Sequence, residues 1–182
     1  MNWESHILEH AIAGNAQALE QLLETHMQSI YGACYRVCLD SHHAQDITQN
    51  VVIKIIKNIG KFSQKSSFQT WYYRIAYNES INFLKKYKKS SGDLDEILEH
   101  TLIVNDEVWQ AVDTTLLKKE LTDTINTLPL VERNIILYFY YDDLKIREIA
   151  EIMELNENTI KTKLSRSKKY LSTHLSHYES ND

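Results

Sequence analysis

The chain has 182 residues, 43% hydrophobic and 25% charged, with four Gly, one Pro, two Cys and a formal net charge of −5. Such a chain can bury a real core, in one domain or two small ones, and two Cys do not make a disulfide framework. The scarcity of Gly and Pro favours long helices, and the net acidity argues mildly against nucleic-acid binding along the whole chain. No apolar run approaches membrane-spanning length, and MNWESHILEH lacks a basic start followed by an apolar core. The expectation is a cytoplasmic protein with no direct membrane insertion.

From His6 to Leu23 the apolar residues Ile7, Leu8, Ala11, Ile12, Leu19, Leu22 and Leu23 recur at helical spacing, interrupted at Gly14-Asn15. A second helix runs from Ala16 through Met27, Ile30, Tyr31, Cys34, Val37 and Cys38, and Asp40-Ser41 supplies a stop and a new cap. The next, about His43 to Asn58, carries Ile47, Val51, Ile55 and Ile59 on one side. Cys34, Cys38 and His42 would share a stripe on a continuous helix. A metal site needs about four convergent ligands, and buried free Cys is the commoner reading. No metal or cofactor is expected.

A polar loop follows, from Asn58 to Ser67, with Phe62 and Phe68 at its margins. The helix after it, from Phe68 to Lys86, interleaves aromatic side chains with Lys and Arg. Rings on which unpaired bases stack, beside cations that hold a backbone, make a single-strand grip. Some of these rings must be core, and Trp71 and Ile75, at i and i+4, are expected to be buried. Charge is segregated along the chain: Lys61 to Lys89 is basic, Asp93 to Asp113 has acid and no Lys or Arg, and Lys161 to Lys169 is basic again. The acidic stretch reads as a linker, with Val108 and Trp109 suggesting that part of it docks or forms a short helix. Leu116 to Leu128 resumes an amphipathic helix, and Pro129 opens the next as a first-turn residue before the apolar body VERNIILYFYY.

Lys145 to Leu171 reads as two helices joined by a tight turn. Ile146, Ile149, Ala150 and Met153 form one apolar stripe, Leu155-Asn156-Glu157 breaks it, and Asn156 is a good N-cap. In the second helix Ile160, Leu164, Ser167 and Leu171 share a face, Ser167 being small enough to let another helix approach. The opposite face carries Asn158, Thr159, Lys161, Thr162, Ser165 and Arg166. Short hydroxyl and amide groups among cations suit base edges and phosphates, so the pair reads as a helix-turn-helix for DNA. An ordinary helical hairpin with a solvated basic face is the plainer alternative. No H-E-x-x-H, Gly-rich phosphate loop or Ser/His/Asp arrangement is present and the eight His are scattered, so no enzyme is expected.

The string SSFQTWYYRIAYNESINFLKK is similar to region 2 of bacterial RNA polymerase sigma factors, most of all in the small extracytoplasmic-function group of the sigma-70 family. Upstream, AQDITQNVVIKIIKNIGKF resembles that region's polymerase-binding helix. Downstream, INTLPLVERNIILYFYYDDLKIREIAEIMELNENTIKTKLSRSKKYL resembles region 4, where a Leu-Pro step precedes the helix-turn-helix. The resemblance spans about Leu19 to Leu175. It implies an all-α protein of two small helical domains: region 2 over residues 1–89, an acidic linker over 90–113, and region 4 over 114–182.

What the resemblance implies about function is an alternative sigma factor, a non-enzyme that binds core RNA polymerase and promoter DNA; the family commonly has an anti-sigma partner. A stand-alone helix-turn-helix regulator is the alternative, but a duplex-only reader has no use for a strand-capture surface. Core binding would fall to Asp46, Gln49, Asn50 and Lys54, with Asn50 replacing the usual Glu. The minus-ten element would be read by Lys61, Phe62, Ser63, Gln64 and Lys65 in the loop, and by Phe68, Trp71, Arg74, Asn78, Lys85 and Lys86. Ser63-Gln64-Lys65 stands where many relatives have Arg-Gly-Asp, so the base preference does not carry over; Tyr72 replaces a common Leu and Asn82 a common Asp. The minus-thirty-five element would face Asn158, Thr159, Lys161, Thr162, Ser165 and Arg166, with Asn158 where relatives often carry Gly.

Overall fold

Asn15 and Asp40 are short acceptor side chains at points where the chain restarts a helix, and both act as caps. In the computed structural model, which describes residues 3–91 and 115–175 and the side-chain surroundings of 3–87 and 120–175, Asn15 Oδ1 accepts from the Ala18 N–H at 3.0 Å. Asp40 Oδ1 accepts from the His43 N–H at 2.7 Å. That N–H, with the neighbouring imidazoles, holds the Asp40 carboxyl below the usual carboxylate range. The cap is therefore intact above the ordinary carboxylate pKa and is lost as pH falls through the lowered one.

These caps delimit α1 (Trp3–Ile12), α2 (Ala16–Cys38) and α3 (Ser41–Asn58); a 3-10 turn (Ile59–Lys61) and α4 (Phe68–Ser91) follow. Together they form the first of two compact units, residues 1–94. α4 packs on α2 and α3, while α1 packs on α2 and on the 3-10 turn. The core is Leu22, Ile30 and Cys34 of α2, Ile47, Val51 and Ile55 of α3, and Tyr72, Tyr73 and Ala76 of α4. Trp71 and Ile75, expected inside, are only half-buried. A helix wedged between two others buries a broad stripe, and its centre falls on Tyr72, Tyr73, Ala76 and Ser80 instead. Ser80 and Thr48 are tolerated inside because each hydroxyl donates to the carbonyl four residues back, at 2.8 and 2.6 Å.

Cys34, Cys38 and His42 do not share a stripe. Leu39 adopts a left-handed conformation (φ 58°) that ends α2, so His42 belongs to α3 and is exposed, while both thiols are buried. Among the described residues no cluster of three or more His, Cys, Asp or Glu could hold a metal ion.

The second unit covers residues 95–182. Its described helices are α5 (Thr115–Asn126), α6 (Leu130–Tyr140), α7 (Ile146–Met153) and α8 (Glu157–Leu175), and α8 packs on the other three. Pro129 sits one residue before α6, at the N-cap position with φ −54°, not inside the first turn. The core joins Ile125, Ile135, Tyr138, Leu144, Ile149, Ile152, Ile160 and Leu164. Arg133 is buried with them, and loss of solvent lowers its guanidinium pKa to about 10. Among the described residues there is no strand, and the architecture is all-α. No described helix is long and apolar enough to cross a membrane. The acidic stretch Asp93 to Asp113, with its expected docking at Val108 and Trp109, lies outside the described residues.

The loop between the 3-10 turn and α4 keeps a shape that favours glycine. Gln64 has φ 55°, a left-handed conformation costing a non-Gly residue about 1 kcal/mol or more. Gln64→Gly should therefore leave thermal stability unchanged or higher, whereas the β-branched Gln64→Val should lower it by about 1 kcal/mol. Equal melting of the two variants would show that the loop does not hold this conformation. Burial pushes both thiols up to about 11. The neutral thiol is thus favoured by folding, a contribution present below the usual value and lost as pH rises through about 11. Iodoacetamide should label the native protein at pH 8 far more slowly than the urea-unfolded chain. Equal rates would mean that the thiols are exposed.

Candidate nucleic-acid interface

In the second unit the turn between α7 and α8 is set by backbone conformation and one cap. Glu154 takes φ 55° and closes α7. Asn156 Oδ1 then accepts from the Thr159 N–H at 2.7 Å and from its hydroxyl at 2.9 Å. At the other end of α7 the Glu148 carboxylate accepts from the Lys145 N–H at 2.8 Å. Ile149, Ala150, Ile152 and Met153 of α7 are buried with Ile160, Leu164 and Ser167 of α8. Ile146 is only half-buried, and Ile152, not foreseen, completes the stripe. Ser167 is 2% exposed, as its small size suggests.

With that face fixed, the other side of α8 is determined. Asn158, Lys161, Thr162, Ser165 and Arg166 are all exposed along it. Thr159 is half-buried and committed to the cap. Lys161 lies 3.9 Å from Glu157, a loose, exposed pairing that a phosphate or guanine can displace. Lys163 is held instead by Glu132 of α6 at 2.6 Å, which anchors α8. Beside this surface the unit carries an apolar groove of about 330 Å³, lined by Leu121, Ile125, Ile136, Leu137, Tyr140, Tyr141, Lys168 and Leu171. Tyr140 and Tyr141 are exposed at its rim, 54% and 39%. No single-residue signal in the sequence marks this groove, because its lining comes from three helices.

In the first unit the loop presents Lys61, Ser63, Gln64 and Lys65 to solvent. Ser67 ends it as a cap, its Oγ accepting from the Thr70 N–H at 3.0 Å. Phe62 and Phe68, expected on the strand-gripping surface, are 7% and 4% exposed. Their rings lie 6.1 Å apart, and Trp71 stands 5.0 Å from Phe62 and 5.9 Å from Phe68. The two Phe support the loop from beneath, leaving Trp71 as the partly open ring. Trp71, Arg74, Asn78 and Lys85 recur at three, four and seven residues, one outward strip of α4. Trp71, Arg74 and Asn78 are half-buried in that strip, while Lys85 and Lys86 are exposed.

On α3 the outward face carries Asp46, Gln49 and Asn50, all exposed. Lys54 does not simply join them, because its ammonium pairs with Glu79 of α4. Two residues that the sequence reading passed over do join them: Ile53 and Ile56, 47% and 49% exposed. The signal was available. Once Val51 and Ile55 are assigned inward, helical periodicity turns the other isoleucines of VVIKII outward. An open groove of about 560 Å³ runs beside this face, lined by Glu24, Met27, Gln28, Tyr31, Gln45, Thr48 and Gln49.

Comparison with known proteins agrees with both units. The sigma-70 region 2 family model matches residues 22–90 and the sigma-70 region 4 model residues 118–171. The ECF RNA polymerase sigma factor SigW of Bacillus subtilis is 32% identical over 167 residues, 87% of this chain and 89% of that one. SigV of the same organism is 29% identical, over 80% and 84%. Among solved structures, the sigma factor RpoE in complex with the anti-sigma factor NepR from Bartonella quintana aligns with a TM-score of 0.71 at 18% identity, covering 90% of this chain and 98% of that one. CnrH in complex with the cytosolic domain of CnrY aligns at 0.67 and 16%, covering 97% and 99%; at such identities these two speak to the fold. The chain belongs to the extracytoplasmic-function group of the sigma-70 family: it is an alternative sigma factor for transcription initiation.

Proposed function

We propose a division of labour among three surfaces of this sigma factor. Region 2, over residues 1–89, binds core RNA polymerase through the outward face of α3 and takes the minus-ten strand on the loop 61–67 and the outer strip of α4. Region 4, over residues 114–182, reads the minus-thirty-five duplex with α8. Residues 90–113 join them. The observation that carries this reading is the open basic face of α8, held in place by Asn156 and Lys163, together with a loop whose polar side chains are turned out over a buried aromatic floor.

The core-binding face is an apolar pair, Ile53 and Ile56, bordered by Asp46, Gln49 and Asn50, a composition that suits a protein partner. Lys54 serves here by clamping α3 to α4. Phe62 and Phe68 shape the loop, and direct contact with unpaired bases falls to Trp71 and the loop's own side chains. Membership of the family disfavours the stand-alone regulator. The protein acts in the cytoplasm, performs no covalent chemistry of its own, and is held in check by an anti-sigma factor, as the likeness to a complexed sigma factor suggests. Transcription in vitro with purified core polymerase on fragmented genomic DNA tests the whole reading. Mapped start sites sharing two spaced elements support it, and transcription indistinguishable from core alone overturns it.

Two further outcomes separate the surfaces. Asp46→Lys with Gln49→Ala, and Ile53→Asp alone, should each weaken competition with another sigma factor for core by tenfold or more, about 1.4 kcal/mol, while circular dichroism stays unchanged. Folded variants that compete as well as the parent would remove α3 from the core interface. Arg166→Ala and Lys161→Ala should each cost roughly 1–3 kcal/mol of duplex recognition, with opening unaffected once the promoter is bound. Changes at Lys61, Gln64 and Lys65 should reduce permanganate reactivity of the minus-ten thymines instead. Normal opening by the loop variants on linear duplex would leave the loop without a role.

A further inference from the structure

α1 lies outside the region 2 family model, which begins at residue 22, yet one end of it touches the turn that leads into the loop and the other end touches a residue packed at the loop's exit. A Cβ on Gly60 would stand 3.7 Å from the Ile12 carbonyl oxygen, and Gly60 is the middle of the 3-10 turn that leads into the loop. The first turn of α1 reaches the loop's other end through His26 of α2. His26 Nε2 lies 3.1 Å from the Glu4 carboxylate, and Nδ1 lies 3.3 Å from the Tyr72 hydroxyl. The imidazole also packs edge-on against Phe68, the first residue of α4, with centroids 5.3 Å apart. An Nε2–H tautomer satisfies both polar contacts: Nε2–H donates to Glu4 and Nδ1 accepts from Tyr72.

α1, about 15 Å long, therefore has its last residue at the turn that begins the loop and its first turn joined, through His26, to the loop's exit into α4. The loop needs such support. Gln64 is held in a left-handed conformation, and a strained residue persists only when its surroundings over-determine it. Tyr72 adds to the argument, since the Leu common at this place in the resembled pattern has no hydroxyl to offer His26.

We propose that α1 and His26 form a brace that holds the loop 62–67 in its strand-receiving shape, with Glu4, His26 and Tyr72 as positioning residues that do not touch DNA. This rests on the assignment of the loop to the minus-ten strand made above. The test uses holoenzyme reconstituted with core polymerase and a fluorescent single-stranded oligonucleotide carrying the non-template strand of a promoter mapped with it. His26→Phe keeps the ring against Phe68 and removes both polar contacts; Glu4→Ala removes one from a half-buried position near the start of α1. Each should weaken strand capture about fivefold, the effect of a modest hydrogen bond, with competition for core unchanged. Glu4→Gln, which still accepts from His26, should restore capture. A loop variant, Lys61→Ala with Gln64→Ala, is measured in parallel. Loss of capture by the loop variant alone overturns the brace and leaves the loop assignment standing. Normal capture by every variant overturns both. Equal loss of core competition and capture by His26→Phe and Glu4→Ala would mark a general fold defect and overturns the brace.

Discussion

The constraint on which the first unit depends is that α4 has only one circumference. It must bury one side against α2 and α3 while the other side stays open for the contact with nucleic acid proposed above, and its aromatic residues are divided between the two sides. Tyr72 and Tyr73 go inward, each typically burying 150–250 Å². The two Phe at the loop's margins go under the loop. What remains outward is a strip running from Trp71 through Arg74 and Asn78 to Lys85, presented on a rigid helix. Rigidity suits the proposed strand capture, because an unpaired strand has many conformations and a surface that is already ordered loses less entropy in holding one of them.

The second unit solves the corresponding problem with smaller means. For the groove reading proposed for α8 the helix must project clear of its own domain, so its buried face has to be narrow and closely packed. Ile160, Leu164 and Ser167 provide that face, and the missing bulk at Ser167 lets a neighbouring helix come near. The angle of α8 is then held at two points, the Asn156 cap at its start and the Lys163–Glu132 pair along its length. The second contact takes a cation out of the basic set that composition alone would assign to DNA. Charge on a helix is thus not a count of phosphate contacts. Lys54, tied to Glu79, makes the same point for α3.

Hydroxyls and thiols are tolerated inside the first unit for separate reasons. Thr48 and Ser80 return their hydroxyls to their own helices, and the two thiols stay protonated because the core disfavours the thiolate. The Cys34, Cys38 and His42 spacing has a helical period only on paper. One left-handed residue, Leu39, breaks the helix that the spacing assumes.

The sequence by itself determined the helices, the caps at Asp40 and Asn156 and the identity of the helix-turn-helix, because capping and amphipathic periodicity are local: each cap acts on a residue only three positions away. It also determined the exposed row from Asn158 to Arg166, since one buried stripe implies its opposite. Tertiary structure decided which aromatic residues face inward, because the stripe of α4 is centred by the two helices it meets and not by its own pattern, which placed Trp71 and Ile75 inside. It also decided which cations are engaged, since Lys54 and Lys163 find partners 25 and 31 residues away. The link of α1 to the turn before the loop and, through His26, to the start of α4 is likewise invisible in a one-dimensional reading. Glu4, His26 and Tyr72 are separated by 22 and 46 residues, and only the packing of three helices brings them to one point.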